Sequence, residues 1–402
     1  MKNWVLFFFL LCFISCTFQP TTEKSRLTLI SGESNYIINL DGKINKSLPI
    51  STIFKNVYPI ILESDTNCLI GEIYDLQVFG NKIFIFDKFI ANSLFVFDTN
   101  GQFVRKIGAL GNGPGEYIQI NDFTINPNDG SIYICDRGIK IHKYKQDGTF
   151  INTINLQISK SNVFFIHFYN DKIYASILSY APNIDDFMLI EINPKNGEVL
   201  SSHFTYDNNK GWMAPYSTGH SFFISRLNDI PKFTNLFMDY IILLNDTIKP
   251  YIKLESKNLI TKQDIDNLPE NASVVEKIAE LNKKSKIWDV HNYIENNNII
   301  SFKHKNGIKD DVTVFFFKET RETQLIYYFD NDLIFKNDSK NDWFSRFVFY
   351  DSSGAYSVLH SSLINNFIKS IENNEIVSDL RLLEQLSQLN EESNPVIFFY
   401  EF

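Results

Sequence analysis

Between Leu76 and Ile107 the sequence LQVFGNKIFIFDKFIANSLFVFDTNGQFVRKI sets four short runs rich in Phe, Ile and Val between the polar breaks GNK, DKFIANS and DTNGQ. That order is strand, turn, strand, turn, and it describes a four-stranded antiparallel meander. The same order returns as DFTINPNDGSIYICDRGIKIHKYKQDGTFINTI, ending at Ile154, and a looser third copy runs from Val163 to His203. Asp87 and Asp136 are 49 residues apart, Gly101 and Gly148 are 47 apart, and Gly148 and Gly197 are 49 apart. A period of this length belongs to the blades of a β-propeller. Strands apolar on both faces cannot stand alone, so each sheet must stack on its neighbours to be buried.

The rest of the chain fits the same plan less regularly. Blades 1 to 3 are expected over about 72–108, 120–155 and 162–205. Blade 4 is read in SFFISRLND, KFTNLFM, YIILLND and TIKPYIKLES, and blade 5 in WDVHNYIEN, IISFKHK, DDVTVFFFK and TQLIYYF. Blade 6 starts at WFSRFVFYD and AYSVLH. A ring must join its first and last units, so the early run from Tyr58 to Glu63 is assigned to the final sheet beside the C-terminal NPVIFFYEF. Two segments, about 258–286 and 361–390, change to helical spacing and read as insertions, the first interrupted by Pro269 and the second around Asn373 and Asn374. The expected fold is therefore all-β, a six-bladed β-propeller of four-stranded antiparallel blades over 35–402 with two small helical insertions. No Pro/Gly/Ser linker divides it, and 37 Phe and 19 Tyr suit strand faces packed between stacked sheets.

Residues 1–16, MKNWVLFFFLLCFISC, carry Lys2 and an apolar run from Trp4 to Ile14, too short for a membrane span and right for a signal peptide. A net charge of −9 without a basic stripe argues against nucleic acid as a partner. Of the body cysteines, Cys135 sits in the strand IYICD as a small hydrophobe, and no disulfide framework is indicated.

IFIFDKFIANSLFVFDTNGQFVRKIG, followed by GNGPGEY and DFTINPNDGSIYICD, resembles an NHL-type repeat. More closely, the chain is similar to the six-bladed β-propeller lipoproteins of Bacteroidetes, many of unknown function. The ending Phe-Ile-Ser-Cys is similar to a bacterial lipobox, with Phe13 where Leu is usual. The resemblance implies acylation of Cys16, a tether over 17–34, and attachment to the outer membrane. No acidic run follows Cys16, which favours the periplasmic side. A monomer is expected.

No catalytic constellation stands out. The Gly108–Tyr117 loop carries Pro114, lacks GK[ST] and lies between strands, so it reads as an inter-blade connection from which Glu116 and Tyr117 reach toward the ring axis. Asp87-Lys88 and Asp136-Arg137 recur at the end of the second strand. The resemblance gives the Asp residues a role in tying down the next turn, and Lys88 and Arg137 form a rim for an anion or sugar. The segment NNKGWMAPYSTGHSFFISR either gathers Trp212, Tyr216, His220 and Arg226 as a platform for a sugar or peptide or folds over the rim and buries its Trp. The leading expectation is a non-catalytic binding module for a glycan, peptide or envelope partner, with no cofactor. The alternative is a lyase or hydrolase whose channel holds Ca²⁺ or Zn²⁺, with His142, His167, His203, His220 and His291 as ligands by count alone.

Overall fold

A computed structural model describes residues 25–27, 30, 32–159, 161–179, 186–213, 222–223, 230–307, 311–336, 347–377 and 380–402. Strand pairing divides them into six four-stranded antiparallel sheets arranged as a six-bladed β-propeller. Blade 1 comprises Asp75–Phe79, Lys82–Asp87, Ser93–Asp98 and Phe103–Ile107. Blade 2 comprises Ile120–Ile125, Ile132–Asp136, Lys140–Tyr144 and Phe150–Asn155. Blades 3, 4 and 5 begin at Ser161, Phe222 and Ile287 and end at Thr205, Glu255 and Asp330. Blade 6 takes three strands from the C-terminal part, Phe347–Tyr350, Gly354–Leu359 and Val396–Glu401, and its fourth from the N-terminal part.

The period of two explains why the blades must stack. In the second strand of blade 1, Ile83 and Ile85 enter a core shared with Phe349, Val358 and Ile397 of blade 6. The intervening Phe84 and Phe86 enter the core shared with Phe123, Ile134 and Tyr144 of blade 2. Each such side chain contributes about 1.5–3 kcal/mol on full burial. Cys135 is fully buried in the next core, between blades 2 and 3.

Neighbouring inner strands do not form a common sheet, so their free backbone groups need other partners. Side chains supply them. Gln77 Nε2 donates to Phe123 O at 3.2 Å and Asn121 Nδ2 to Val163 O at 2.8 Å. Asp122 Oδ2 accepts from Ile166 N at 2.7 Å and Thr124 Oγ1 from Phe168 N at 3.0 Å.

Four N-terminal strands run around the outside of the ring: β1 (Ser25–Leu27), β2 (Tyr36–Asn39), β3 (Ile44–Pro49) and β4 (Asn56–Ile61). The first three pair in parallel with the outer strands of blades 3, 4 and 5. The fourth pairs antiparallel with Val396–Glu401 and closes the ring, two residues earlier than the run expected at 58–63. This belt covers edges that would otherwise present unpaired backbone.

The repeating glycines are explained by the turn between the third and fourth strands. Gly101 and Gly197 adopt φ of +85° and +76°, and a Cβ there would lie 2.0 Å from Ile61 O and 2.1 Å from Asn155 O, at the end of the preceding blade's outer strand.

The four α-helices among the described residues all lie in connections. Helices α1 (Lys262–Asp266) and α2 (Val274–Lys283) join blades 4 and 5, each opened by a capping box, Thr261 with Asp264 and Ser273 with Glu276. Helices α3 (Ser361–Glu372) and α4 (Leu380–Leu386) fill the link between the second and third strands of blade 6. Ile364 and Phe367 of α3 are buried, the latter against Phe335 and Phe398.

Candidate functional site

In blades 1 and 2 the turn after the second strand and the segment leading into the inner strand meet on one face of the ring, here the upper face. In blade 1 that turn is organised by Asp87. Its Oδ2 accepts from Gly71 N at 2.7 Å and Glu72 N at 3.2 Å, and its Oδ1 from Ile90 N at 3.0 Å. Asp136 does the same in blade 2, where Oδ1 accepts from Ile118 N at 3.2 Å and Gln119 N at 3.0 Å. Both carboxylates are fully buried, and each fixes the backbone that carries the side chains beside it.

Those side chains are apolar and face solvent. Phe89 is 67% exposed and Ile90 68% exposed, and Ile118, Ile139 and Phe164 are also exposed. Hydrogen bonds join their loops into one rim. Asn92 Nδ2 donates to Ile118 O, and Asn92 Oδ1 accepts from Ile120 N. Val163 N donates to Gly138 O at 3.0 Å, which joins the blade 2 turn to the start of blade 3. Phe164 is the extra residue at a bulge in the inner strand of blade 3. Phe89 packs edge-on against Tyr74 at 5.3 Å. The sequence reading passed over all five residues; their only signal is position, next to a structural Asp or at the start of an inner strand.

Lys88 and Arg137, equivalent in sequence, are not equivalent in space. Lys88 turns inward: its Nζ donates to Asn121 O at 2.9 Å and lies 4.4 Å from the Tyr74 ring centroid and 5.8 Å from that of Phe165. Burial lowers its pKa, opposed by the nearby carboxyls of Asp122 and Asp75. Burial raises Asp122 well above the usual carboxylate range, reinforced by Asp75 and opposed by the bond from Ile166 N. Arg137 is exposed, in the left-handed region at φ 52°.

Other expected residues are placed elsewhere. Glu116 accepts from Gly113 N at 2.8 Å inside its own loop, and Tyr117 is buried in the core between blades 1 and 2, so neither extends to the axis. Trp212 does not form a surface platform. Its indole is buried against Phe237 at 5.3 Å, beneath α2, because Ile278, Leu281 and Trp288 require an apolar cover. Tyr216, His220, Arg226, Cys16 and residues 17–24 of the tether lie outside the described residues.

The described histidines do not converge. His142 bonds Thr153 Oγ1 at 2.9 Å, and His203 bonds Glu191 at 3.0 Å. His167 is buried in blade 3, its pKa pushed down to about 3 by burial. His291 lies on the inner strand of blade 5, where Asp289 and Asn292 adopt φ of 58° and 51° and the register slips twice. Its Nε2 meets Asp311 Oδ2 at 3.0 Å, its Nδ1 meets Asp289 O at 2.9 Å, and Lys305 Nζ bonds the other Asp311 oxygen at 2.7 Å. Burial would raise Asp311, but the bonds from His291 and Lys305 hold it well below the usual carboxylate range. Among the described residues, no group of three or more His, Cys, Asp or Glu is arranged to hold a metal ion. No helix among them is long and apolar enough to cross a membrane.

Comparison with known proteins agrees with this geometry at the level of fold. The model of a domain of unknown function, DUF4934, matches residues 35–401. A crystal structure titled as an exported protein of Bacteroides fragilis is similar at a TM-score of 0.72 and 19% identity, covering 90% of this chain and 98% of that one. Myxococcus xanthus glutaminyl cyclase aligns at a TM-score of 0.26 and 15% identity, over 40% of this chain and 66% of that one. No curated protein matches the chain in sequence.

Proposed function

We propose, for a chain that belongs to the DUF4934 family, that it is a non-catalytic binding protein of the cell envelope whose upper face over blades 1 to 3 docks a partner protein. The observation that carries this reading is the rim of Phe89, Ile90, Ile118, Ile139 and Phe164. Asp87 and Asp136 hold its loops in place before any partner arrives, so little ordering cost remains on binding. Contiguous exposed apolar residues mark interaction surfaces, and exposed Arg137 at their edge adds a charge that orients an acidic segment of the partner.

The envelope location rests on the leader and Cys16, with support from the exported description of the Bacteroides fragilis protein. In this reading Cys16 carries lipid in the outer membrane, facing the periplasm, and the monomer is held by residues 17–24, which reach at most about 30 Å when extended. Loss of labelled palmitate incorporation on Cys16→Ala tests the anchor.

The docking reading is tested by placing a photo-crosslinking residue at Phe89 in the native cells, with Asn100 on a turn between the third and fourth strands as control. The expected result is one discrete adduct from position 89, absent from position 100 and lost on adding Ile139→Asp. Equal labelling from both positions, or none, overturns it.

A second reading, a lyase or hydrolase with its site at the channel mouth, is favoured by one observation, the His291–Asp311 pair on a strained inner strand. Turnover of an ester or glycoside that disappears in His291→Asn would bring it forward.

A further inference from the structure

The outer edges of the blades are not finished alike. In blades 3, 4 and 5 a parallel strand of the belt covers the outer strand, whereas in blades 1, 2 and 6 the outer strand is the last of its sheet among the described residues. An open edge presents unpaired N–H and C=O groups, and proteins blunt such edges with Pro or charge. Blade 6 has Pro59 inside its outer strand, Asn56–Ile61. Blade 1 has Arg105 and Lys106 in Phe103–Ile107. The outer strand of blade 2, Phe150–Asn155, reads FINTIN and has neither. Among the described residues its backbone bonds only the neighbouring strand, Lys140–Tyr144.

The covered blades show what such an edge accepts. The outer strands of blades 2, 3 and 4 each have a bulge near their start, at Ile151, Leu200 and Tyr251. In blades 3 and 4 the added strand pairs with the residues directly after the bulge, Ser201–His203 and Ile252–Glu255. The equivalent residues of blade 2 are Asn152–Asn155, so its bulge does not stand in the way of a fifth strand. Ser201 and Ile252 are buried, whereas Asn152 at the same place is exposed. In blade 4 the added strand turns Ile38 into the core and leaves Ile37 outside, the alternation an occupant of blade 2 would need.

The chain's own tether is too short to be that occupant. Successive belt strands start 11, 8 and 12 residues apart, at Ser25, Tyr36, Ile44 and Asn56. Counting back from Ser25 by the same steps puts a preceding strand at or before Cys16 for the two longer steps. Only the shortest leaves room, and that strand would contain Pro20, which has no N–H to donate. The edge is instead continuous with the rim. Leu156 N, directly after the outer strand of blade 2, donates to the carbonyl of the rim residue Ile139 at 3.1 Å.

We infer that the outer edge of blade 2 takes an extended segment of the protein that docks on the rim, added as a fifth, parallel strand along Asn152–Asn155 with an apolar side chain at alternate positions. Backbone hydrogen bonds supply the affinity and the alternation supplies the selectivity. The inference rests on the docking reading and extends its footprint from the upper face onto the side of the ring.

The test uses the full chain in its native cells, with a photo-crosslinking residue at Asn152 or Asn155 and the joined residues located by mass spectrometry. Both positions are expected to capture the protein captured from position 89. Parallel pairing runs residue for residue, so the partner residue joined to position 155 should lie about three residues C-terminal to the one joined to position 152. A second variant, Asn152→Lys with Asn155→Lys, copies the charges of blade 1 onto two exposed positions. It is expected to lower the adduct from position 89 at least about tenfold, as loss of one or two backbone hydrogen bonds would, with an unchanged melting temperature. Joined residues in the reverse order, adducts to residues 17–24 of the same chain or to a second copy, or no adduct from 152 and 155 while 89 still captures its partner, each overturn the inference and leave the rim standing. Adducts in the expected order from 152 and 155 with none from 89 overturn the rim and keep the edge.

Discussion

Between blades 1, 2 and 3, single side chains reach from one inner strand to the backbone of the next, Gln77 to Phe123 and Thr124 to Phe168. Between blades 4 and 5 the seam is closed by charge. Glu295 takes Lys232 from blade 4 at 2.9 Å and Lys318 from blade 5 at 2.7 Å, with the hydroxyls of Tyr251 and Tyr293 completing its shell. Lys232 also lies over the rings of Tyr251 and Tyr293. Regular repeats can use one short bond at equivalent positions. Where the repeat has diverged, the second strand of blade 4 is only Lys232–Phe233, and a buried ion cluster with an outer strand from the belt supplies the cohesion. The half that kept its repeat also carries the apolar rim.

The largest effect that would test this contrast is at Glu295. Burial alone would raise its pKa, but the charge and bonds of Lys232, with Lys318 and Tyr251, hold it down at about 2. Glu295→Gln leaves Lys232 buried without its counter-charge and should cost about 3–5 kcal/mol in urea unfolding. Glu191→Gln in blade 3, where the partners are Lys172 and His203, should cost about 2 kcal/mol. Equal losses would erase the distinction between the two halves.

Next in size is Asp87→Ala, which strands three backbone N–H groups and should lower stability by about 2–3 kcal/mol while weakening crosslinking from position 89. Asp136→Ala should behave alike in blade 2. A variant that loses stability yet docks normally would separate the scaffold from the rim.

Buried titratable groups give both halves the same response to acid, with one exception, Asp122. His167 and His304 titrate near 3 and 4 in the folded protein, against an ordinary 6.5, because burial disfavours their charged forms. The unfolded chain therefore binds more protons in that window, and stability should fall as pH drops from about 6.5 toward 4. Glu191 and Glu295, both near 2 against 4.5, extend the loss from about 4.5 toward 2. Asp122 has the opposite sign: its raised pKa gives stability present at low pH and lost as pH rises. Asp122→Asn should hold or raise stability at pH 7, read as an unchanged or higher urea midpoint, whereas Glu295→Gln lowers it.

How much of this was legible follows from the same contrast. The period of the Asp and Gly residues set out blades 1 to 3 because their turns demand those residues: Asp87 and Asp136 for backbone N–H groups, Gly101 and Gly197 for close approach. In blade 4 the second strand, Lys232–Phe233, is too short to show alternation. In blade 5 the left-handed Asp289 and Asn292 break it. The parallel pairing of β1 to β3 joins residues far apart in sequence, as does Lys232 with Glu295, and neither leaves a local pattern. For Trp212 the sequence leaves a platform and a loop that buries its Trp both open, because the loop departs from the blade pattern and the cover it gives Trp288 and α2 depends on a helix placed later in the chain. The rim leaves no such signal: Phe89 and Ile90 sit inside the break DKFIANS and Ile118 in the connection before blade 2, and no local pattern shows that Asp87 and Asp136 hold those backbones in place.

The smallest predicted effect concerns the glycines that define the period. At Gly148, φ is +84° but the nearest atom to an added Cβ is Ile107 Cδ1 at 3.4 Å, the tip of a side chain that can give way. Gly148→Ala should therefore cost only the left-handed backbone, about 1 kcal/mol. At Gly101 the same backbone conformation comes with Ile61 O at 2.0 Å, a carbonyl in the strand that closes the ring, and it cannot move without disturbing β4. Gly101→Ala should cost clearly more, and the difference between the two variants in urea midpoint measures how rigidly the closing strand is seated against blade 1. If both substitutions cost the same, the closure seam gives as easily as a side-chain tip, and the belt adds less to the diverged half than its pairing implies.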